Sequence, residues 1–273
     1  MAAGSNQAGT DDVGAAGRLD ARVSYPALSG TRVFVTGGGS GIGAALVEAF
    51  AGQGAQVAFV DIADQASAEL ADRIAAAGHA RPWHRRCDVT DVAALQQAIA
   101  DASEALGDFS VLVNNVGNDD RHAFAQVTPE YWDRCVAINQ RPAFFAIQAA
   151  LPGMRRLGGG SVVNLGSNGW RIKNDGYAAY ATTKSSVNGL TRGLARELGA
   201  DRIRINVVTP GWVMTQRQVD HWLDEAGERE IRRNQCLPDK LQPEDIAAMV
   251  LFLASDQARA ITAQEFVVDA GWS

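Results

Sequence analysis

A short β-branched run at 32–36 passes without a break into Gly37-Gly38-Gly39-Ser40-Gly41-Ile42-Gly43. Leu46, Val47 and Phe50 then recur at helical spacing. Glycines at such a junction let the backbone turn sharply and come close to a pyrophosphate, whose charge the free N–H groups and dipole of the following helix stabilise. A nucleotide site at a strand-to-helix turn in turn demands an α/β layout, and the rest of the chain supplies one. Further strand-like runs lie at 56–60, 109–114, 161–165, 203–208 and 265–268, with a weaker one at 81–86. Between them, Val92, Leu95, Ile99 and Leu106, then Val187, Leu190, Leu194 and Leu198, then Ile246, Met249, Val250 and Leu253 fall on helix faces. Alternation of this kind predicts a single doubly wound, Rossmann-type α/β domain: a mostly parallel, seven-stranded sheet with helices on both faces.

The 273 residues would accommodate one large domain or two small ones, and no linker divides them. Residues 1–24, rich in Gly, Ala, Ser and Asp without apolar periodicity, are expected to form a flexible tail before a dinucleotide-binding domain at 25–273. A charged stretch at 214–239 is expected to form a helical, mobile lid. The net charge of −6 disfavours nucleic acid and anionic membranes as partners. Cys87, Cys135 and Cys236 are too far apart for a Cys-x-x-Cys site, and His79, His84, His122 and His221 show no metal-ligand spacing. No apolar run reaches the roughly 18 residues of a membrane span, and no signal peptide is evident. The expectation is a soluble, cytoplasmic protein without a metal.

Asp61 ends the second strand run, 18 residues after Gly43. An acidic side chain there accepts hydrogen bonds from the adenosine ribose and repels a 2′-phosphate, which favours NAD over NADP. Its competing role is to cap the next helix, which Asp64 could also do. Asp88 and Val89 follow the weak strand and could border the adenine, with Asp91 as a competing helix cap. Tyr180 and Lys184 are four apart in a helical segment and so share one face. A phenol titrates near 10, and each unit of displacement towards neutrality requires about 1.4 kcal/mol; a neighbouring ammonium supplies such a bias. The spacing alone does not establish catalysis.

Taken together and in order, the glycine run 37–43, Asn114-Asn115-Val116-Gly117, Asn139, Ser167 placed 13 residues before Tyr180, Lys184, and Pro210-Gly211-Trp212-Val213-Met214-Thr215 resemble the short-chain dehydrogenase/reductase family. The resemblance covers about residues 28–273. It departs modestly, at Val116 and Gly166, where alanine and serine are usual. It implies that Tyr180 is the general base in alcohol oxidation and that Ser167 holds the reacting oxygen. Lys184 would lower the Tyr180 pKa and bind the nicotinamide ribose, and Asn139 would place a water linking Lys184 to solvent. The implied cofactor contacts are Gly37, Gly39, Ser40, Gly41, Ile42, Gly43, Asp61, Asp88, Val89, Asn115, Gly117, Tyr180, Lys184, Pro210, Gly211, Val213 and Thr215. A homodimer or homotetramer is implied as well.

Residues 115–122, Asn234-Gln235-Cys236-Leu237 and the terminal Asp269-Ala270-Gly271-Trp272 look like the NAD-dependent sugar 1-dehydrogenases of that family, which act on D-xylose, L-arabinose or D-galactose. A sugar site needs polar groups for the hydroxyls and an aromatic wall for the ring. Asn118, Ser167, Asn168, Trp170, Asn174, Tyr180, Trp212 and Gln216 are the candidates. Against this, Trp170 and Trp212 could simply pack the lid, and Asp119, Asp120 and Arg121 could form a salt-bridged loop. The alternatives in function are a reductase or dehydrogenase of another alcohol or ketone, such as a 3-oxoacyl thioester, and a dinucleotide-sensing protein without catalysis.

Overall fold

The structure, a computed structural model, describes residues 23–273. The expected tail at 1–24 therefore lies, but for its last two residues, outside the described residues. From Arg32 onward strand and helix alternate: β1 (Arg32–Thr36), α1 (Gly41–Gly52), β2 (Gln56–Asp61), α2 (Asp64–Ala76), β3 (Trp83–Arg86), α3 (Val92–Leu106), β4 (Val111–Asn114), α4 (Pro129–Asn139), α5 (Arg141–Arg156), β5 (Gly160–Leu165), α6 (Ala178–Ala200), β6 (Ile203–Pro210), α7 (Gln216–Trp222), α8 (Glu225–Asn234), α9 (Pro243–Ala254) and β7 (Glu265–Val268). The strands form one seven-stranded sheet in the order β3-β2-β1-β4-β5-β6-β7. Every neighbouring pair is parallel. It is the doubly wound single domain expected from the sequence.

Period-two alternation sends successive strand residues to opposite faces. Val33, Val35, Val57, Phe59, Val111 and Val113 meet Leu46, Val47 and Phe50 of α1 and Ile246, Val250 and Leu253 of α9. Phe34, Ala58 and Leu112 face the other way, onto Leu95 and Ile99 of α3, Ile147 and Met154 of α5, and Leu198 of α6. Burial on both faces explains why the strands read as nearly continuous apolar runs. Each fully buried Leu or Phe contributes about 1.5–3 kcal/mol.

Two strands start later than their sequence runs. Pro82 has no N–H to give to a ladder, so β3 begins at Trp83. Phe109 is buried in the core, edge-on to Phe34 at 5.3 Å between ring centroids, before pairing begins at Val111. The stretch 214–239 contains α7 and α8, capped by Thr215 and Asp224 through bonds from the Gln218 and Gly227 amides. Among the described residues no helix is long and apolar enough to cross a membrane, and no group of three or more His, Cys, Asp or Glu could hold a metal.

Candidate active site

The strand order reverses direction between β1 and β4, and at their carboxyl ends a cavity of about 1090 Å³ opens. It runs from the glycine loop to Trp212 and Trp272.

At one end, Gly37 sits at φ +69°, and its amide and that of Gly38 donate to the Val60 carbonyl at 2.7 and 3.2 Å. A Cβ on Gly43 would lie 1.7 Å from the Gly37 carbonyl oxygen, so only glycine lets α1 start this close to β1. Asn115 ties the loop to β4: its side-chain amide donates to the Gly37 carbonyl at 2.8 Å, and its backbone amide to the Thr36 hydroxyl at 3.1 Å. Ser40 precedes α1 without capping it, so the first-turn amides remain free for a ligand. Gly37, Ser40, Ile42, Gly43 and Asn115 line the cavity, whereas Gly39 and Gly41 shape the turn behind it.

Asp61 accepts the Gly39 amide at 2.8 Å and the Ala63 amide at 2.9 Å, one on each carboxylate oxygen, and faces the cavity. It thus organises the glycine loop and the entry to α2 together, while Asp64 is already inside that helix. Asp88 accepts the Thr90 amide and hydroxyl at 2.9 and 2.8 Å, bonds that hold its carboxyl below the usual range, and it lines the cavity with Val89. Asp91, not Asp88, caps α3. Gly117, Pro210, Gly211, Val213 and Thr215 line the middle of the cavity.

Next to this stretch, Ser167, Tyr180 and Lys184 come together. Tyr180 and Lys184 project from one face of α6. Ser167 stands at the exit of β5, in a tight turn where its hydroxyl accepts the Gly169 amide at 3.1 Å. Lys184 is 3% exposed, and its ammonium donates to the carbonyls of Leu165 at 3.1 Å and Val116 at 3.4 Å. Burial lowers its pKa to about 8, opposed by the Asp119 carboxylate. Burial also pushes the Tyr180 phenol well up, with the nearby Ser167 hydroxyl opposing and the Asp119 charge adding. Asn139, buried at the break between α4 and α5, braces the loop after β4: its carbonyl oxygen accepts the Asn118 amide at 2.7 Å, and its amide donates to the Asn118 carbonyl at 3.2 Å. A small cavity of about 10 Å³ behind the site is lined by both Asn139 and Lys184.

At the far end, Asn118, Asn168, Asn174 and Trp212 line the wall. The buried Asn168 side-chain N–H groups and the Trp212 indole N–H lack a protein partner. Trp170 and Gln216 are not brought there. The turn after Ser167 carries Trp170 outward, where the Arg171 guanidinium lies 4.6 Å from its ring centroid. Gln216, in the first turn of α7, bonds along its own helix to Asp220 at 2.7 Å.

Sequence reasoning left Asp119, Arg121, Tyr177, Arg217, Gln218, Glu230 and Trp272 out of the site, and all of them line it. Asp119 and Asp120 pair with Arg217 of α7 at 3.5 and 3.1 Å, not with the adjacent Arg121. Gln218 donates to Asp119 at 2.6 Å, and Arg217 to the Asn118 side chain at 2.7 Å. Arg121 instead lies over aromatic rings, 4.1 Å from the centroid of Trp222, 5.3 Å from Tyr177 and 5.8 Å from Trp212. The acidic run and the tryptophans were visible in the sequence; that α7 folds onto them was not.

Residues 37–273 match the family described as enoyl-(acyl carrier protein) reductase. The chain is 48% identical over 248 residues to a D-xylose 1-dehydrogenase of Caulobacter vibrioides, covering 91% of this chain and 98% of that one. It is 45% identical over 247 residues to a "Probable galactose dehydrogenase" of Rhizobium meliloti, covering 90% and 96%. Among solved structures, a short-chain dehydrogenase/reductase from Serratia marcescens superposes with a TM-score of 0.85 at 35% identity, over 90% of this chain and 99% of that one. A blue fluorescent protein from a metagenomic library, in complex with NADPH, gives 0.84 at 37% identity over 90% and 99%. A 7α-hydroxysteroid dehydrogenase complexed with NADH gives 0.86 at 30% identity over 90% and 95%. Motifs, sheet order and relatives agree: the chain belongs to the short-chain dehydrogenase/reductase family and is an oxidoreductase of it.

Proposed function

We propose that the protein oxidises the anomeric C1 hydroxyl of an aldose of the D-xylose, L-arabinose or D-galactose type to the aldonolactone, with NAD as the hydride acceptor. The observation that carries this reading is a single cavity joining three parts: a phosphate-sized glycine turn with Asp61 beside it, the Ser167–Tyr180–Lys184 cluster, and a polar and aromatic end with unpartnered donors on Asn168 and Trp212. The resemblance to sugar dehydrogenases of two kinds supports a sugar at that end.

The residues present fit a dinucleotide. The free amides of α1 and the loop 37–43 would hold the pyrophosphate, Asp61 the adenosine ribose, Asp88 and Val89 the adenine edge, and Asn115, Gly117, Lys184 and 210–215 the nicotinamide half. The carboxylate of Asp61 disfavours a 2′-phosphate by like-charge repulsion, which favours NAD. When bound, the nicotinamide supplies the acceptor for a hydride from C1.

The protein's own work is alignment and proton removal. Ser167 holds the C1 oxygen, and Tyr180 takes its proton as the C–H electron pair leaves as hydride, so one aldose yields one lactone, one NADH and one proton. Lys184 stabilises the phenolate by its nearby charge and passes the proton onward past Asn139, towards the small cavity the two share. Asn118, Asn168, Asn174 and Trp212 read the remaining hydroxyls and ring face. We further propose a cytoplasmic homo-oligomer, tetrameric in the fuller form, supported by three free cysteines and by the exposed side chains of Phe124, Trp132 and Phe144.

An initial-rate screen of pentoses and hexoses with NAD and NADP tests this reading, with NADH formation from at least one aldose as the expected result. No turnover with any aldose, together with NADPH consumption on a 3-oxoacyl thioester, would replace it.

A further inference from the structure

We propose that His122 is a positioning residue for Tyr180, acting as the N-terminal cap of α6 from outside that helix. The proposal rests on the reading of Tyr180 as general base.

Helix α6 has no cap of its own. Tyr177, which precedes it, offers no side-chain acceptor to the first turn. Such a turn leaves amides that a Ser, Thr, Asp or Asn at the preceding position would ordinarily satisfy. Here the acceptor comes from the loop after β4: the Ala179 amide donates to Nε2 of His122 at 3.1 Å. Ala179 is buried and directly precedes Tyr180. A second bond fixes the same corner, from the His122 amide to the Gly176 carbonyl at 2.9 Å.

The ring's protonation follows from its partners. Nε2 accepts, so it carries no proton, and Nδ1 lies 3.0 Å from the Asp120 carbonyl, which can only accept. Nδ1 therefore bears the proton. It also lies 2.9 Å from the Tyr131 phenol oxygen, whose own hydroxyl donates to the Asp120 carbonyl at 3.3 Å. The His122 and Tyr131 rings are 4.8 Å apart. With both nitrogens engaged, the imidazole is held at both ends and fixed to one neutral tautomer. The other end of this loop is fixed by Asn118 on Asn139. Residues 118–122 thus form a bridge between Asn139 and the first turn of the helix that carries Tyr180 and Lys184.

The consequence is kinetic. Loss of the acceptor frees the first turn of α6 and lets the phenol drift from the hydroxyl it deprotonates, and a misplacement of about 1 Å costs on the order of 100-fold in rate. The cofactor's phosphate end, built on other elements, is untouched.

The test uses the full-length protein with His122→Phe, which keeps a ring without an acceptor, and His122→Gln, whose amide oxygen can accept at the Nε2 position. For His122→Phe we expect kcat to fall about 10- to 100-fold with KM for NAD within about 3-fold, and for His122→Gln a recovery to within about 5-fold of the parent. Independently of activity, the Ala179 amide should lose about 10-fold or more of its hydrogen-exchange protection in His122→Phe and regain it in His122→Gln. Should His122→Phe fail to fold, Tyr131→Phe, which removes only the phenol oxygen behind the ring, is read the same way, with a loss of Ala179 protection and of kcat in the same direction. Unchanged Ala179 exchange in the Phe variant, or equal loss of kcat in the Phe and Gln variants, overturns the proposal. Tyr180→Phe separates the two readings. Survival of its turnover sinks the general-base reading, while the exchange result on His122 variants stands by itself.

Discussion

The two ends of the cavity are built on different terms. At the glycine loop the working parts are backbone amides and carbonyls held by short bonds from the neighbouring strand ends: Gly37 and Gly38 to Val60, Asn115 to Gly37, Asp61 to Gly39 and Ala63. At the far end they are side chains from loops and α7, far apart in sequence, Asp119 against Arg217 and Gln218, and Arg121 against Trp212, Trp222 and Tyr177. Backbone geometry tolerates little change, because a single Cβ on Gly43 collides with Gly37. A side-chain lattice can exchange partners without unfolding the sheet. One scaffold can therefore keep its cofactor and vary its substrate.

The sharpest way to separate the two ends is at their junction. Tyr180→Phe should lower kcat by about 10²- to 10⁴-fold, the range of a lost general base, with NAD affinity by fluorescence titration little changed. In the parent, with Tyr180 as the proposed base, the burial that pushes the phenol up should make oxidation rise with pH, since the deprotonated form would be the one that works. Lys184, drawn down to about 8, loses its charge from there upward, so the rise should flatten. A pH–rate profile that falls from neutral into the alkaline range contradicts this assignment.

A weaker break falls at the cofactor end. Asp61→Ser removes the charge that opposes a 2′-phosphate, and the ratio of kcat/KM for NADP to that for NAD should rise about 10- to 100-fold, with the same sugar preference. It should also loosen the turn, because the Gly39 and Ala63 amides lose their shared acceptor. A change of sugar preference without a change of cofactor preference would show that the two ends are not independent.

The smallest effect belongs to the far end. Arg217 is half-exposed and its pairs with Asp119 and Asp120 are screened, so Arg217→Ala should cost stability less than about 1 kcal/mol. It should still raise KM for the sugar a few-fold while KM for NAD stays put, because α7 loses its hold on the Asn118 loop.

How much could be read beforehand follows the same division. The strand runs and the Tyr180–Lys184 face depend on strict periodicity, and the glycine turn shows in its composition at a strand-to-helix junction even though its bonds to Val60, Asp61 and Asn115 do not; the sheet appeared as expected. Arg217 and Asn118, 99 residues apart, meet only because α7 folds onto the loop after β4, at the carboxyl ends of the strands. Nothing in spacing encodes that. Trp170 shows the converse. As an aromatic in a loop near the strand carboxyl ends it suits a substrate wall, yet one short turn is enough to rotate it out to Arg171. Pro82 could have been used to start β3 at Trp83, since a missing N–H is visible in any sequence.

Lys184 bears on how mutants at this site should be interpreted. Its ammonium joins the Leu165 carbonyl at the end of β5 to the Val116 carbonyl just past β4, so it is a stitch across the mouth of the sheet as well as the charge proposed to act on the phenol. Replacement by methionine would strand the buried Leu165 carbonyl, at a cost of about 1–3 kcal/mol, and release the part-buried Val116 carbonyl. A dead enzyme from that substitution would therefore report a gaping seam and a missing cation at once.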